Sequence, residues 1–255
     1  MISVIVCTAR EPNLASIHER NVVKTVGEPC EYLGIDNRGA RTGICAAYNR
    51  GVQAARGDIL VFVHDDAFFL QPGWGTALGR KFGDEPKVGM VGVAGTQFLH
   101  RNRMSWTAAG RPFMRGRVVH DIEATGEFFM SAFATEPGDD EVVAVDGLFF
   151  AIRRDLFPRI RFDEETFDGY HFYDLDICMQ VRRSHTIIVT WDIVIKHCSE
   201  GNPDEVWRRY GRKFLAKYRD ELPASCTPEV PDFSRERLPG LKFDLRGKAR
   251  REVIC

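Results

Sequence analysis

Five apolar residues, Ile59-Leu60-Val61-Phe62-Val63, run directly into His64-Asp65-Asp66. A strand that is apolar throughout is a buried strand, and two carboxylates at its end repel each other where solvation is being lost. A divalent cation relieves that cost. Hard ions such as Mg2+ and Mn2+ take carboxylate oxygen and keep positions open for phosphate oxygens and water. The competing reading is local: Asp is favoured in turns, and Pro72-Gly73 follow shortly after.

The elements that must position these residues follow from the apolar pattern. Residues 2–7 are β-branched and apolar and predict a buried first strand. Pro12 opens a helix to about residue 24. Residues 32–35 form a second strand ending at Asp36-Asn37, and 44–55 an Ala-rich helix stopped by Gly57. Strand 58–63, helix 73–82 and strand 88–94 complete an alternating series, which predicts a mostly parallel sheet with right-handed crossovers. In such sheets ligands sit beyond the carboxyl ends of the strands. That rule alone places Thr8, Asp36 and His64-Asp65-Asp66 on one rim.

Beyond residue 95 the pattern changes. Residues 97–135 are rich in Arg, Gly and aromatics and predict hairpins or long loops. Strands at 142–145 and 148–152 flank Asp146-Gly147. A short helix at 173–184, a strand at 186–189 and a last helix at 203–219 follow. In that helix Trp207, Tyr210, Phe214 and Tyr218 recur at i, i+3, i+7 and i+11, a face packed on the core. After Pro223 the chain is polar and Pro-rich, a tail or an extended wrap.

The 255 residues suffice for one substantial core. A formal net charge of −1 gives no global pull toward nucleic acid or an anionic membrane. Seven cysteines without a C-x-x-C pair fit a reduced, cytoplasmic protein better than a disulfide scaffold. The N-terminus reads as a strand and not as a signal peptide, and no apolar run approaches the roughly 20 residues of a membrane span. The G-x-G-x-x-G and G-x-x-x-x-G-K-[ST] loops are absent, which argues against a dehydrogenase or an NTPase.

Taken in order, Ile2-Ser3-Val4-Ile5-Val6-Cys7-Thr8, Ile35-Asp36-Asn37, Tyr48-Asn49-Arg50-Gly51 and Ala55-Arg56-Gly57-Asp58 lead into Phe62-Val63-His64-Asp65-Asp66. Downstream come Asp146-Gly147-Leu148-Phe149-Phe150-Ala151-Ile152-Arg153-Arg154, then Phe172-Tyr173-Asp174-Leu175-Asp176-Ile177-Cys178, then His197-Cys198-Ser199. This ordered set resembles glycosyltransferase family 2 over about residues 1–218. The family's D-G strand, E-D-x-D helix start and late H-x-S segment are matched in turn. The sequence departs from the pattern in three places. His64 stands at the first D-x-D position, Tyr173 stands where a Glu often precedes the catalytic Asp, and the Arg-rich segment 97–135 has no counterpart.

The resemblance implies a GT-A-type α/β fold, with a Rossmann-like sheet flanked by helices and a smaller mixed β region on the acceptor side. It implies one catalytic domain over 1–222, with 1–95 binding the nucleotide-sugar and 96–222 carrying the acceptor and catalytic half, and a tail over 223–255. The activity implied is inverting transfer from a nucleotide-diphosphate sugar, a UDP-sugar foremost, assisted by Mn2+ or Mg2+. Asp66 is then the main metal ligand and His197 a candidate second one, alongside its reading as a structural histidine. His64 is expected to orient Asp65 or a water, ahead of its alternative reading as a direct metal ligand. Thr8, Arg10, Asp36 and Asp65 are the candidates for the nucleotide. Asp174 is the candidate general base, alongside its reading as a plain helix N-cap, with Asp176 and then Asp146 behind it. Arg101, Arg103, Arg111, Arg115 and Arg117 are candidates for a basic loop over the donor. The acceptor is open among glycan, lipid-linked intermediate, small molecule and protein. The rival readings are a non-catalytic sugar-nucleotide or glycan-binding protein and a nucleotidyltransferase. The latter would carry a Gly-rich loop after the first strand, where Cys7-Thr8-Ala9-Arg10-Glu11-Pro12 has no glycine.

Overall fold

A computed structural model of the protein describes residues 1–39, 42–199, 203–232 and 237–246. The first half alternates as its sequence predicts: β1 (Ile2–Thr8), α1 (Pro12–Thr25), β2 (Cys30–Asp36), α2 (Ile44–Ala54), β3 (Ile59–Val63), β4 (Ala67–Phe69), α3 (Trp74–Asp84) and β5 (Val88–Gly92). There follow β6 (Ala94–Thr96), β7 (Phe98–Leu99), the hairpin β8 (Met114–Ile122) and β9 (Glu127–Ala132), then β10 (Asp139–Val142), β11 (Ala144–Val145) and β12 (Phe149–Arg153). The chain continues through α4 (Tyr173–Val181), β13 (Thr186–Thr190), β14 (Ile195–His197), α5 (Glu205–Lys217), β15 (Ala224–Ser225) and β16 (Leu241–Asp244).

The central sheet has the order β10-β13-β5-β12-β3-β1-β2. It is mixed but mostly parallel, as expected: β1, β2, β3, β5 and β13 run one way, and β12 and β10 oppose them. The pairs β1/β2, β1/β3 and β5/β13 are parallel. The pairs β3/β12, β5/β12 and β10/β13 are antiparallel. The reversals come from β12, which enters between β3 and β5 against their direction, and from the edge strand β10. Alternation along each strand feeds two cores. Ile5, Leu60, Phe62 and Phe150 join residues of α2, α4 and α5 on one face. Val4, Val6, Val61 and Val63 join residues of α1 and α3 on the other. The architecture is therefore three layers, α/β/α, the arrangement a sheet buried on both faces requires.

A second sheet, β11-β6-β8-β14-β4, carries β9 and β16 beyond β8. It stands over the carboxyl ends of β1 and β3 because β4 follows directly from His64-Asp65-Asp66. Residues 97–135 thus supply a hairpin, as expected, but four of the five candidate arginines are engaged within the protein, and only Arg103 is exposed with no such contact among the described residues. Arg101 donates to the Arg219 carbonyl, Arg111 to Pro239, and Arg117 to Trp191 while lying over its ring. Arg115 bonds the Pro112 carbonyl and pairs with Asp140. These side chains fasten the second sheet to its surroundings. Past Pro223 the chain adds strands to the body: β15 pairs with β7 and β16 with β9. No helix among the described residues is long and apolar enough to cross a membrane.

Candidate active site

The ends of β1, β2 and β3 form the expected rim. Parallel register sets Thr8 beside Asp36. The Thr8 hydroxyl donates to Asp65 at 2.7 Å, and Arg10 pairs with the other oxygen of Asp65 at 3.3 Å. Asp36 lies exposed and is paired with Arg38 at 2.6 Å. Hydrogen bonds from the Arg38 side chain and backbone pull its carboxyl down to about 2.

Asp65 and Asp66, read from sequence as a repelling pair, point apart. Asp65 is neutralised by Arg10, whereas Asp66 turns toward β14. Its Oδ1 lies 3.2 Å from His197 Nε2. Register makes this contact: β14 runs antiparallel to β4 with His197 opposite Ala67, and the Cys198 amide donates to the Asp66 carbonyl at 3.0 Å. Burial opposes the charge on Asp66, but the bond and charge of His197 hold its carboxyl well below the ordinary range. His197 moves the other way, raised by Asp66 against the cost of burial.

His64 completes the cluster. Its Nδ1 lies 3.4 Å from His197 Nε2, and it makes no bond to Asp65. One donor atom from each of His64, Asp66 and His197 falls within 4.8 Å of the others. Neighbouring ligands about 2.1 Å from one ion are about 3.0–3.5 Å apart in octahedral or tetrahedral geometry, so the two contacts of 3.2 and 3.4 Å fit such a shell. Two imidazole nitrogens and one carboxylate oxygen suit a first-row divalent ion.

Asp174 occupies the first turn of α4. It is not the N-cap. Phe172 holds that place at φ 65°, with no side-chain cap bond. A bulky residue in the left-handed region is strained, and burial against Trp207 and Phe214 holds it there. Asp174 Oδ2 accepts from the Gly147 amide at 3.0 Å. A Cβ at Gly147 would collide with the Tyr173 hydroxyl, so the D-G pair permits the close approach of β12 and α4. Burial, then the neighbouring Asp146 carboxylate, raise Asp174 to about 7. Asp176, the fallback candidate, is buried and engaged by Lys217 at 2.5 Å and Tyr218 at 2.7 Å. It is a structural group.

A cavity of about 590 Å³ lies between the two histidines of the cluster and Asp174, lined among others by His64, His197, Asp146, Asp174, Trp106 and Trp207. Trp106 donates to Asp146 at 2.8 Å. Of the α5 aromatics, Tyr210, Phe214 and Tyr218 are core as expected, but Trp207 is half-buried and faces this cavity.

Residues 3–220 match the model of a family described as "Glycosyltransferase like family". The chain belongs to this glycosyltransferase-like family. Its fold is shared with solved glycosyltransferases of the GT-A type. One is the mannosyltransferase PcManGT from Pyrobaculum calidifontis in complex with GDP-Man and Mn2+, with TM-score 0.54, 16% identity, and coverage of 87% of this chain and 64% of that one. A second is GalNAc-T7 with UDP, GalNAc and Mn2+, with TM-score 0.57, 11% identity, and coverage of 87% and 49%. A third is S. aureus TarS, with TM-score 0.51, 14% identity, and coverage of 85% and 39%. The chain therefore spans less than two thirds of the length of each. A search of curated proteins found no match.

Sequence reading ranked His64 as an orienting group ahead of a metal donor, and did not single out Trp106 or His120 as cavity residues. β14 could have been found: Ile193, Val194 and Ile195 form a β-branched run directly before Lys196-His197.

Proposed function

We propose that this glycosyltransferase domain transfers a sugar, with inversion, from a nucleotide-diphosphate sugar to an acceptor hydroxyl, and that it uses a divalent metal. The observation that supports this most is one cavity lined both by Asp174 and by His64 and His197, the two histidines of the cluster they form with Asp66. A metal held by these three residues would neutralise the charge that develops on the leaving diphosphate. Thr8, Arg10, Asp36 and Asp65 line the rim on the nucleotide side, with a UDP-sugar the foremost donor. In this reading Arg10 meets the diphosphate, and Asp36 accepts from the ribose or base.

Asp174 acts as the general base. It takes the proton of the acceptor hydroxyl as that oxygen bonds the anomeric carbon. The carbon–oxygen bond to the diphosphate breaks, and its electron pair leaves with the nucleotide. A carboxylate raised to about 7 is a stronger base than an ordinary one and is still half ionised at neutral pH. Trp207 and Trp106 offer apolar walls to the acceptor.

Incubating the chain with UDP-, GDP- and dTDP-sugars, in Mn2+ and in chelator, tests the proposal. Release of nucleoside diphosphate from one donor in Mn2+ alone is expected. Equal release in chelator would remove the metal from the account.

Replacement of the rim aspartate has a different signature. Asp36→Ala is expected to weaken donor binding about tenfold while leaving kcat nearly unchanged, because its contact is present equally in ground and transition states. Calorimetry with the free nucleoside diphosphate reads this directly, and unchanged affinity would take Asp36 out of the site.

A further inference from the structure

Two departures from the family pattern, His64 and Tyr173, lie 109 residues apart in sequence and meet at 2.6 Å between His64 Nε2 and the Tyr173 hydroxyl. That hydroxyl has one proton, and it donates it to the Gly147 carbonyl at 3.0 Å in a buried bond. Only its lone pairs remain for His64, so His64 carries its proton on Nε2 and donates. Nδ1 is then left with a free lone pair. It is Nδ1 that faces His197 Nε2.

We propose that Tyr173 is a positioning residue that fixes His64 as an Nδ1 donor, and that the resulting two-nitrogen, one-oxygen site selects Mn2+ over Mg2+. The inference rests on the metal reading above and adds to it the tautomer and the choice of ion. Imidazole suits first-row transition ions, whereas Mg2+ demands oxygen ligands in near-octahedral array. A partner on the second ring nitrogen of a ligating histidine sets its tautomer and orientation, and its loss typically weakens metal binding about 10–100-fold. The exchange of Asp for His in the first D-x-D position and the presence of Tyr before Asp174 are thus one device.

The test is metal binding by the full chain without donor or acceptor, followed by calorimetry with MnCl2 and MgCl2 and by the loss of the free Mn2+ electron spin resonance signal. Wild type is expected to bind Mn2+ at least about tenfold more tightly than Mg2+. Tyr173→Phe keeps the ring against Tyr48 and Phe150 and is expected to weaken Mn2+ about 10–100-fold, with an unchanged circular dichroism spectrum. His64→Asp restores an oxygen ligand. It should raise affinity for Mg2+ relative to Mn2+ and shrink the effect of Tyr173→Phe in the double variant. If wild type binds Mn2+ and Tyr173→Phe binds it equally, the positioning role falls and the metal reading stands. Equal affinity of wild type for the two ions overturns the selection. Failure of wild type to bind either ion overturns the metal reading and this inference together.

Discussion

Asp174→Asn is expected to lower kcat by about 10²–10⁴ with little change in donor affinity, the loss typical of a positioned general base. The substitution keeps the shape of the side chain and removes its basicity. Phe172 and not Asp174 holds the N-cap of α4, but the Asp174 carboxylate accepts from amides at the helix start, so thermal unfolding of the variant is measured beside the kinetics to separate a lost base from a loosened helix. The wild-type pH profile carries a linked expectation. Asp174 must be ionised to accept a proton, and burial together with Asp146 raises it to about 7. The rate under kcat/KM conditions should therefore rise tenfold per pH unit below about 7 and level off above it, and this limb should vanish in the Asn variant. Steady-state kinetics across pH 5–9 measure both. Transfer by Asp174→Asn at near the wild-type rate would leave Asp146 as the carboxylate facing the cavity, since Asp176 is held by Lys217 and Tyr218.

Asp66→Ala is expected to reduce metal-stimulated turnover to the level of wild type in chelator. Charge stabilisation by a metal contributes several kcal/mol, which corresponds to about 10²–10⁴ in rate. The variant leaves His197 and His64 with two nitrogens and no carboxylate, a poor site for a hard ion. Removing Asp66 also removes the hydrogen bond and charge that raise His197, leaving burial to pull the imidazole down. Kinetics with Mn2+ added back at increasing concentration separate weakened binding from lost chemistry. Full activity in this variant would mean that Asp66 serves only to pair with His197.

The rim was legible in sequence because it depends on local signals. The apolar runs of β1 and β3 end at Thr8 and Val63, and whatever follows a buried parallel strand lies on the ligand side. The cluster was only half legible. Asp66 follows β3 directly, but His197 reaches it through the register of two three-residue strands, β4 and β14, whose pairing is non-local and too short to show a period. His64 was read through its neighbour Asp65. In three dimensions consecutive residues at a strand end point apart, so Asp65 went to Arg10 while His64 and Asp66 went to His197. The mixed direction of the central sheet was hidden because β12 carries the same apolar run that a parallel strand would. The arginines of 97–135 misled for a physical reason as well. A guanidinium has five donors and binds backbone carbonyls as readily as phosphate, so Arg-rich composition does not by itself mark a ligand site.

The central claim, that a nucleotide-sugar and a divalent metal bind this chain together, is tested most directly by thermal unfolding. The melting temperature is measured with UDP-, GDP- and dTDP-sugars, each with and without Mn2+. A ligand that binds only the folded state stabilises it by about 2.7 kcal/mol at one hundred times its dissociation constant. One donor class, with the UDP-sugars foremost, is predicted to raise the melting temperature by several degrees in Mn2+ and far less without it. A melting temperature unmoved by every donor, with Mn2+ present, would contradict the account.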